Sequence, residues 1–264
     1  MRTTLAIAIA LFAASEAFAG TLAINVTHRA ELTGGELRAT VTLSNEGDET
    51  ARAVTPVLRF RGVETRGATQ ADLPPKQPVE ASLAVPAGTL ADGRWSYEIV
   101  VEYADSNLYP FQAISLGTLA VGSPPLPKVA VPALPSPVLA DHAEFPVHVK
   151  NLSETERRLI VKVLAPEAIE AKYTSEEALL GPWAELELPV ELTNRAALPG
   201  SRYPLFVTVE YEDGPVHQTL VAQTSVEIGA AEAKLGREGR YLWIAAGIFG
   251  ALVAGVVAFR LSRS

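Results

Sequence analysis

Ile99-Val100-Val101-Glu102-Tyr103-Ala104-Asp105 is answered 108 residues later by Val207-Thr208-Val209-Glu210-Tyr211-Glu212-Asp213. Working outward, Gly93-Arg94-Trp95-Ser96-Tyr97 resembles Gly200-Ser201-Arg202-Tyr203-Pro204. Val41-Thr42-Leu43-Ser44-Asn45 corresponds to Val147-His148-Val149-Lys150-Asn151, 106 residues apart, and Leu83-Ala84-Val85-Pro86 pairs more loosely with Leu186-Glu187-Leu188-Pro189. Matched blocks in one order at nearly constant offset indicate an internal duplication.

Each block reads as a strand. Leu37, Ala39, Val41 and Leu43 alternate with polar neighbours, and so do Phe145, Val147 and Val149, which is the two-residue period of a half-buried strand. Asn45-Glu46-Gly47-Asp48 supplies turn chemistry with Gly47 free to adopt positive φ, while Asn151-Leu152-Ser153-Glu154 lacks that glycine and is expected to turn differently. Gly34-Gly35 and Asp213-Gly214 read as hairpin turns, and Asp105-Ser106-Asn107 as a looser one. Short strands with closely spaced turn signals define an all-β fold of two tandem immunoglobulin-like β-sandwiches, residues 20–122 and 138–229. Glu167 to Leu180 is the one segment with the composition of a short helix, although its counterpart, Arg61 to Lys76, is irregular; both read as variable connections. Between the copies, six prolines within residues 124–137 mark a semi-rigid linker, 123–137, inside which Val129-Ala130-Val131 can open the second sandwich as an edge strand.

Two hydrophobic segments bracket the duplication. Arg2, the apolar run Leu5 to Ala14, and Ala17-Phe18-Ala19 before Gly20 have the layout of a signal peptide, 1–19. Leu242 to Phe259 is an 18-residue stretch without a charged side chain, about 27 Å long as a helix and close to the ~30 Å of a bilayer core. A transmembrane helix is therefore expected over 241–260, after a juxtamembrane stalk, 230–240, and before a short basic tail, 261–264. The basic residues Lys234, Arg237 and Arg240 precede the uncharged run 242–259 and only Arg260 and Arg263 follow that run, against the positive-inside pattern; the signal peptide decides for an exported bulk. Gly247, Ala251 and Gly255 recur every four residues, the spacing that lets two helices approach, which permits a homodimer through the membrane helix, although alanine and glycine are frequent in such spans anyway.

A strand ending in Asn with a Gly-Asp turn, then Gly-x-Trp/Tyr leading into Val-x-Val-x-Tyr-x-Asp, resembles exported bacterial immunoglobulin-like domains, in particular the CARDB-like module related to cell adhesion. The resemblance covers Thr21 to Gly122 and Val138 to Gly229. It implies sandwiches used as spacer, adhesion unit or complex subunit, without catalysis.

The chemistry legible in the residues is sparse. Net charge is −8 and there is no cysteine, which argues against nucleic acid or anionic lipid as partners and excludes disulfides, Cys-zinc sites and a cysteine nucleophile. His28, His142, His148 and His217 form no metal motif and read as surface histidines. No catalytic elbow, phosphate loop or dinucleotide fingerprint occurs. Glu102 and Glu210 sit at equivalent outward strand positions on separate domains. Trp95, Tyr97, Tyr103, Tyr203 and Tyr211 read as core. No cofactor, metal or catalytic residue is assigned. Trp183 has no evident counterpart in the first copy and is the candidate interface anchor. The expectation is a non-catalytic, membrane-anchored extracytoplasmic binding or structural protein in the periplasm or at the cell surface, partnered by other envelope proteins. The alternatives are a chaperone-like binder of client strands and an accessory module of a carbohydrate-processing enzyme.

Overall fold

The computed structural model describes residues 21–229. The signal peptide, stalk, transmembrane helix and tail expected from the sequence, with Gly247, Ala251 and Gly255, lie outside the described residues. Within them, no helix is long and apolar enough to cross a membrane.

The first copy contributes β1 (Ile24–Thr33), β2 (Glu36–Asn45), β3 (Ala51–Phe60), β4 (Val63–Arg66), β5 (Gln70–Leu73), β6 (Val79–Pro86), β7 (Gly93–Ala104) and β8 (Pro110–Val121). The second contributes β9 (Val129–Ala130), β10 (Val138–Leu139), β11 (His142–Asn151), β12 (Arg157–Leu164), β13 (Ile169–Lys172), β14 (Glu177–Leu180), β15 (Glu185–Asn194), β16 (Arg202–Asp213) and β17 (Val216–Ile228). In copy one the sheet β1-β2-β6 faces β8-β7-β3, with β4 and β5 on the far edge of β3. In copy two β13-β15-β11-β9 faces β14-β12-β16-β17. Both strand orders are of immunoglobulin-like type. The hairpins close on two-residue turns, Thr33 pairing with Glu36 and Asp213 with Val216.

The alternation read from sequence is the alternation of burial. Leu37, Ala39, Val41 and Leu43 line one core with Ile99 and Val101; Phe145, Val147 and Val149 line the other with Val207 and Val209. The short helix considered for Glu167 to Leu180 is absent. That segment forms β13 on β15 and β14 on β12, because Ile169 and Leu180 each reach the core from an extended backbone. The proline-rich segment is bound along the second sandwich. Val129–Ala130 pairs with β11, and Val138–Leu139 runs parallel to the end of β17. Between them the Thr224 hydroxyl donates to the Pro135 carbonyl (2.9 Å) and the Ser136 hydroxyl to the Ser225 carbonyl (2.9 Å).

The two Asn turns are alike, contrary to the expectation of a difference. Asn45 and Asn151 are fully buried at the ends of β2 and β11. Asn45 Oδ1 accepts from the Gly47 amide (3.0 Å), and its Nδ2 donates to the carbonyls of Glu49 (2.6 Å) and Leu73 (3.1 Å). Asn151 Oδ1 accepts from the Ser153 amide (3.0 Å), and its Nδ2 reaches Thr155 (2.8 Å), Leu180 (3.2 Å) and Gly181 (2.9 Å). One amide group thus ties its own turn to the strand end that enters from β5 or β14. Gly47 is not among the positive-φ residues. A Cβ there would stand 1.9 Å from the Thr21 carbonyl oxygen, so close passage of the chain, not turn geometry, calls for glycine.

Replacing Asn151 with Ala leaves buried carbonyls without a donor, which costs about 1–3 kcal/mol. Urea unfolding of Asn45→Ala and Asn151→Ala is expected to show similar losses, and a neutral result at either would refute the shared role.

Candidate binding surface

What holds the copies together is a third apolar cluster. Val57, Val100 and Ile114 of the first copy and Phe206 of the second are buried against one another, with Leu116, Leu164 and Val221 at the margin. These side chains lie on the sheet faces that point away from each copy's own core. That is why Ile99-Val100-Val101 and Leu205-Phe206-Val207 are buried without alternation. At one end of the junction His217 pairs with Gly93, and its amide donates to the Asp92 carbonyl (3.0 Å). A Cβ on Gly93 would lie 2.1 Å from the His217 carbonyl oxygen, so only glycine admits this approach. Beside it, Trp95 stacks on His217 with centroids 3.8 Å apart, and Arg94 donates to the buried Gln218 Oε1 (2.9 Å). At the other end the Glu167 amide donates to Gln112 Oε1 (3.2 Å).

Between these ends a cleft of about 360 Å³ opens, lined by Arg59, Glu98, Lys162, Thr208, Glu210 and Thr219 among others. Glu98 stands 3.6 Å from Arg59, and burial raises its carboxyl above the ordinary carboxylate value despite that cation. Glu210 is 4.0 Å from Lys162. Glu102 is outside the cleft, held by Arg66, whose hydrogen bonds pull the carboxyl down. Glu102 and Glu210 therefore have separate cationic partners and outward placement. Among the described residues no three His, Asp or Glu side chains converge to hold a metal ion.

The histidines divide. His142 and His148 lie at the surface near Glu191 (3.6 Å) and Glu185 (3.4 Å). His217 is buried, with Nδ1 2.8 Å from Glu212 and Nε2 3.0 Å from Thr219. His28 is half-buried between the Tyr97 hydroxyl and the Ser115 hydroxyl, each 2.9 Å away, and burial lowers its pKa below 6.5. The reading of all four as surface residues fails for these two: His28 lies on the inward face of β1 with Val26 and Ala30, against β7 and β8 of the opposing sheet, and the outward position of His217 on β17 is covered by the first copy. Tyr97 and Tyr211 are buried as expected, and Trp95, Tyr103 and Tyr203 pack partly buried against the cores.

Trp183 emerges at the opposite extreme. It is 59 % exposed, and its backbone has φ 57°, in the left-handed region that bulky side chains avoid. Its amide donates to the Ser153 carbonyl (3.2 Å), and the next residue's carbonyl receives the Asn151 amide (2.9 Å). The Asn151 turn thus fixes the indole's support. Exposed Leu152 belongs to the same turn. The structure supplies the counterpart that sequence matching missed: Lys76, 107 residues earlier, has φ 59° and donates its amide to the Asn45 carbonyl (2.8 Å). The backbone device is shared, and only the second copy mounts a tryptophan on it. Beneath that turn Arg157 is nearly buried over the Tyr211 ring, with its guanidinium 2.8 Å from Asp213. Burial alone would raise the Asp213 carboxyl, but hydrogen bonds from Lys128 and Arg157 bring it below the ordinary value.

No family model matches the chain. No curated protein matches it in sequence. Solved structures that resemble it include the human CEP192 PapD-like domain 7, at 18 % identity and TM-score 0.33, over 42 % of this chain and 92 % of that one. Escherichia coli alpha-2-macroglobulin is 12 % identical with TM-score 0.33; 79 % of this chain spans 22 % of that protein, about a fifth of its length. A Porphyromonas gingivalis W83 protein of unknown function is 12 % identical with TM-score 0.31, over 77 % of this chain and 99 % of that one.

Two outcomes follow from the junction and from His28. Phe206→Ala removes the largest side chain of the third cluster, a loss of about 3–5 kcal/mol. Calorimetry should then resolve two transitions where the parent chain shows one; a single unshifted transition would contradict the coupling. Because the folded pKa of His28 is depressed, the unfolded chain binds the extra proton first. Its contribution is intact above about 6.5 and is lost as pH falls through the folded value. Urea midpoints between pH 8 and 5 should drop less in His28→Gln than in the parent, and equal slopes would refute the assignment.

Proposed function

We propose that the chain is a non-catalytic, membrane-anchored extracytoplasmic protein. In this reading its two sandwiches form one stiff element that presents Trp183 to a protein partner, as an adhesion element or subunit of an envelope complex. The observation that carries the reading is the exposed indole held at φ 57° by a buried hydrogen-bonded turn. A rigid, exposed aromatic surrenders little conformational entropy on binding and is the side chain that most often dominates an interface. Anchoring is supported by the apolar run 242–259 and export by the leader-like residues 1–19.

The test is Trp183→Lys, since the first copy accommodates lysine at the same backbone geometry. A photo-crosslinker placed at Leu152 should capture an envelope protein from intact cells with the parent chain. Lysine at position 183 should weaken that capture at least tenfold, the order expected for a hot spot worth about 2 kcal/mol. Unchanged capture, or recovery of the chain alone, would overturn the reading. Binding of soluble glycans that depends on Trp183 would favour the carbohydrate alternative instead.

A further inference from the structure

The junction gives the pair of sandwiches two unlike poles. Strands β7 and β17 run parallel from the contact of Gly93 with His217. The Gln112 to Glu167 contact lies at the far end, and there Tyr103 and Tyr203 come close enough for Tyr203 to add to the upward shift of the Tyr103 phenol that burial causes. One pole therefore carries Trp183 and Leu152, with the hairpin turn after Asp213. The other carries the β7–β8 loop, the β15–β16 loop and Gly229. The Gly200 amide donates to the Ile228 carbonyl (2.7 Å), so the chain leaves this second pole beside the β15–β16 loop.

Both of those loops end in apolar tips. Leu108 is 73 % exposed at φ 63°, and Tyr109 beside it is 48 % exposed. The loop is built to hold them out: Asp105 Oδ1 accepts from the amides of Asn107 and Tyr109, both at 2.8 Å, and the Tyr109 ring meets Phe111 edge-on at 5.2 Å. In the neighbouring loop Leu198 is 50 % exposed, after a turn in which Asn194 bonds both the amide (2.8 Å) and the carbonyl (3.1 Å) of Ala197. Eleven residues, 230–240, separate Gly229 from the start of the expected span. Eleven residues reach at most about 38 Å at full extension.

We infer that this pole rests on the surface of a zwitterionic bilayer, with Leu108, Tyr109 and Leu198 entering the interface. The inference rests on the anchoring proposed above. It chooses the bilayer because the tips share a pole with the tether, whose length keeps them within reach of the lipid. Leucine and tyrosine are side chains that settle at the headgroup boundary. The acids Asp48, Glu49, Asp105 and Glu167 near the tips stand against the bases Lys76, Arg195 and Arg202 at the same pole and Lys234, Arg237 and Arg240 in the tether, so charge favours neither sign of headgroup and the apolar tips set the contact. Trp183 then faces away from the membrane, where a partner can reach it.

The cysteine-free chain permits a direct test. Single substitutions Leu108→Cys, Leu198→Cys, Leu126→Cys and Leu152→Cys, all at exposed positions, take an environment-sensitive NBD label in the full chain reconstituted into phosphatidylcholine vesicles. Labels at 108 and 198 should shift to the blue and be quenched by doxyl lipids several times more strongly than labels at 126 and 152. Equal weak quenching at all four, in protein that floats with the vesicles, overturns this inference and leaves the anchoring intact. Stronger quenching at 126 and 152 overturns it by reversing the poles. Protein that does not float with vesicles overturns the anchoring and the inference together.

Discussion

The packing of Val57, Val100 and Ile114 against Phe206 is the constraint on which the rest depends. Each sandwich could satisfy its own core without it. Joined through these side chains, the outer faces of β7 and β16 become interior, and two immunoglobulin-like units become one body. Burial of apolar surface is worth roughly 25 cal/mol per Å². The contact therefore also removes patches that would otherwise stand open to water on both copies. Gly93 adds a condition that hydrophobicity alone does not impose, since the His217 backbone comes too near for any side chain.

Much of the fold was legible because a single covered face leaves a simple record. Leu37, Ala39, Val41 and Leu43 alternate in sequence and in burial alike. The junction was written more obscurely. Val100 and Phe206 interrupt the alternation, and an apolar residue on an outward face reads equally as strand propensity or as contact until the partner is seen. Glu167 to Leu180 and Arg61 to Lys76 both read as variable connections in sequence, and each instead forms two short strands; the Ala/Glu composition of the former favours a helix weakly, whereas Ile169 and Leu180 gain more by reaching the core from strands. At Gly47 the residue was rightly singled out, but for a turn conformation it does not adopt. Its cause is a chain passing nearby, which no local pattern discloses. The histidines followed the same logic, since His28 and His217 are buried by elements distant in sequence.

Comparison of the copies separates scaffold from specialisation. Asn45 and Asn151 make nearly the same hydrogen bonds, and Lys76 and Trp183 share one unusual backbone geometry. Duplication preserved the device while the side chains it carries diverged, Glu46 to Leu152 and Lys76 to Trp183. Trp183 was noticed in sequence as an aromatic lacking a counterpart. Its significance became visible only when the backbone supplied that counterpart as a lysine.

The prolines that begin the second copy have a consequence for how many such molecules can share one surface. Pro135 and Ser136 lie along β17, where side-chain hydrogen bonds replace a regular ladder, and β14, the terminal strand beside β12, is only four residues long. Long bare strand borders zip together when proteins are crowded. In the second copy that border is occupied along β17 and kept short at β14, whereas β1, β6 and β8 of the first copy each pair on one side only. In a dense lawn of these molecules, crowding would therefore be felt at the first copy, while the second would stand close to its neighbours without fusing to them.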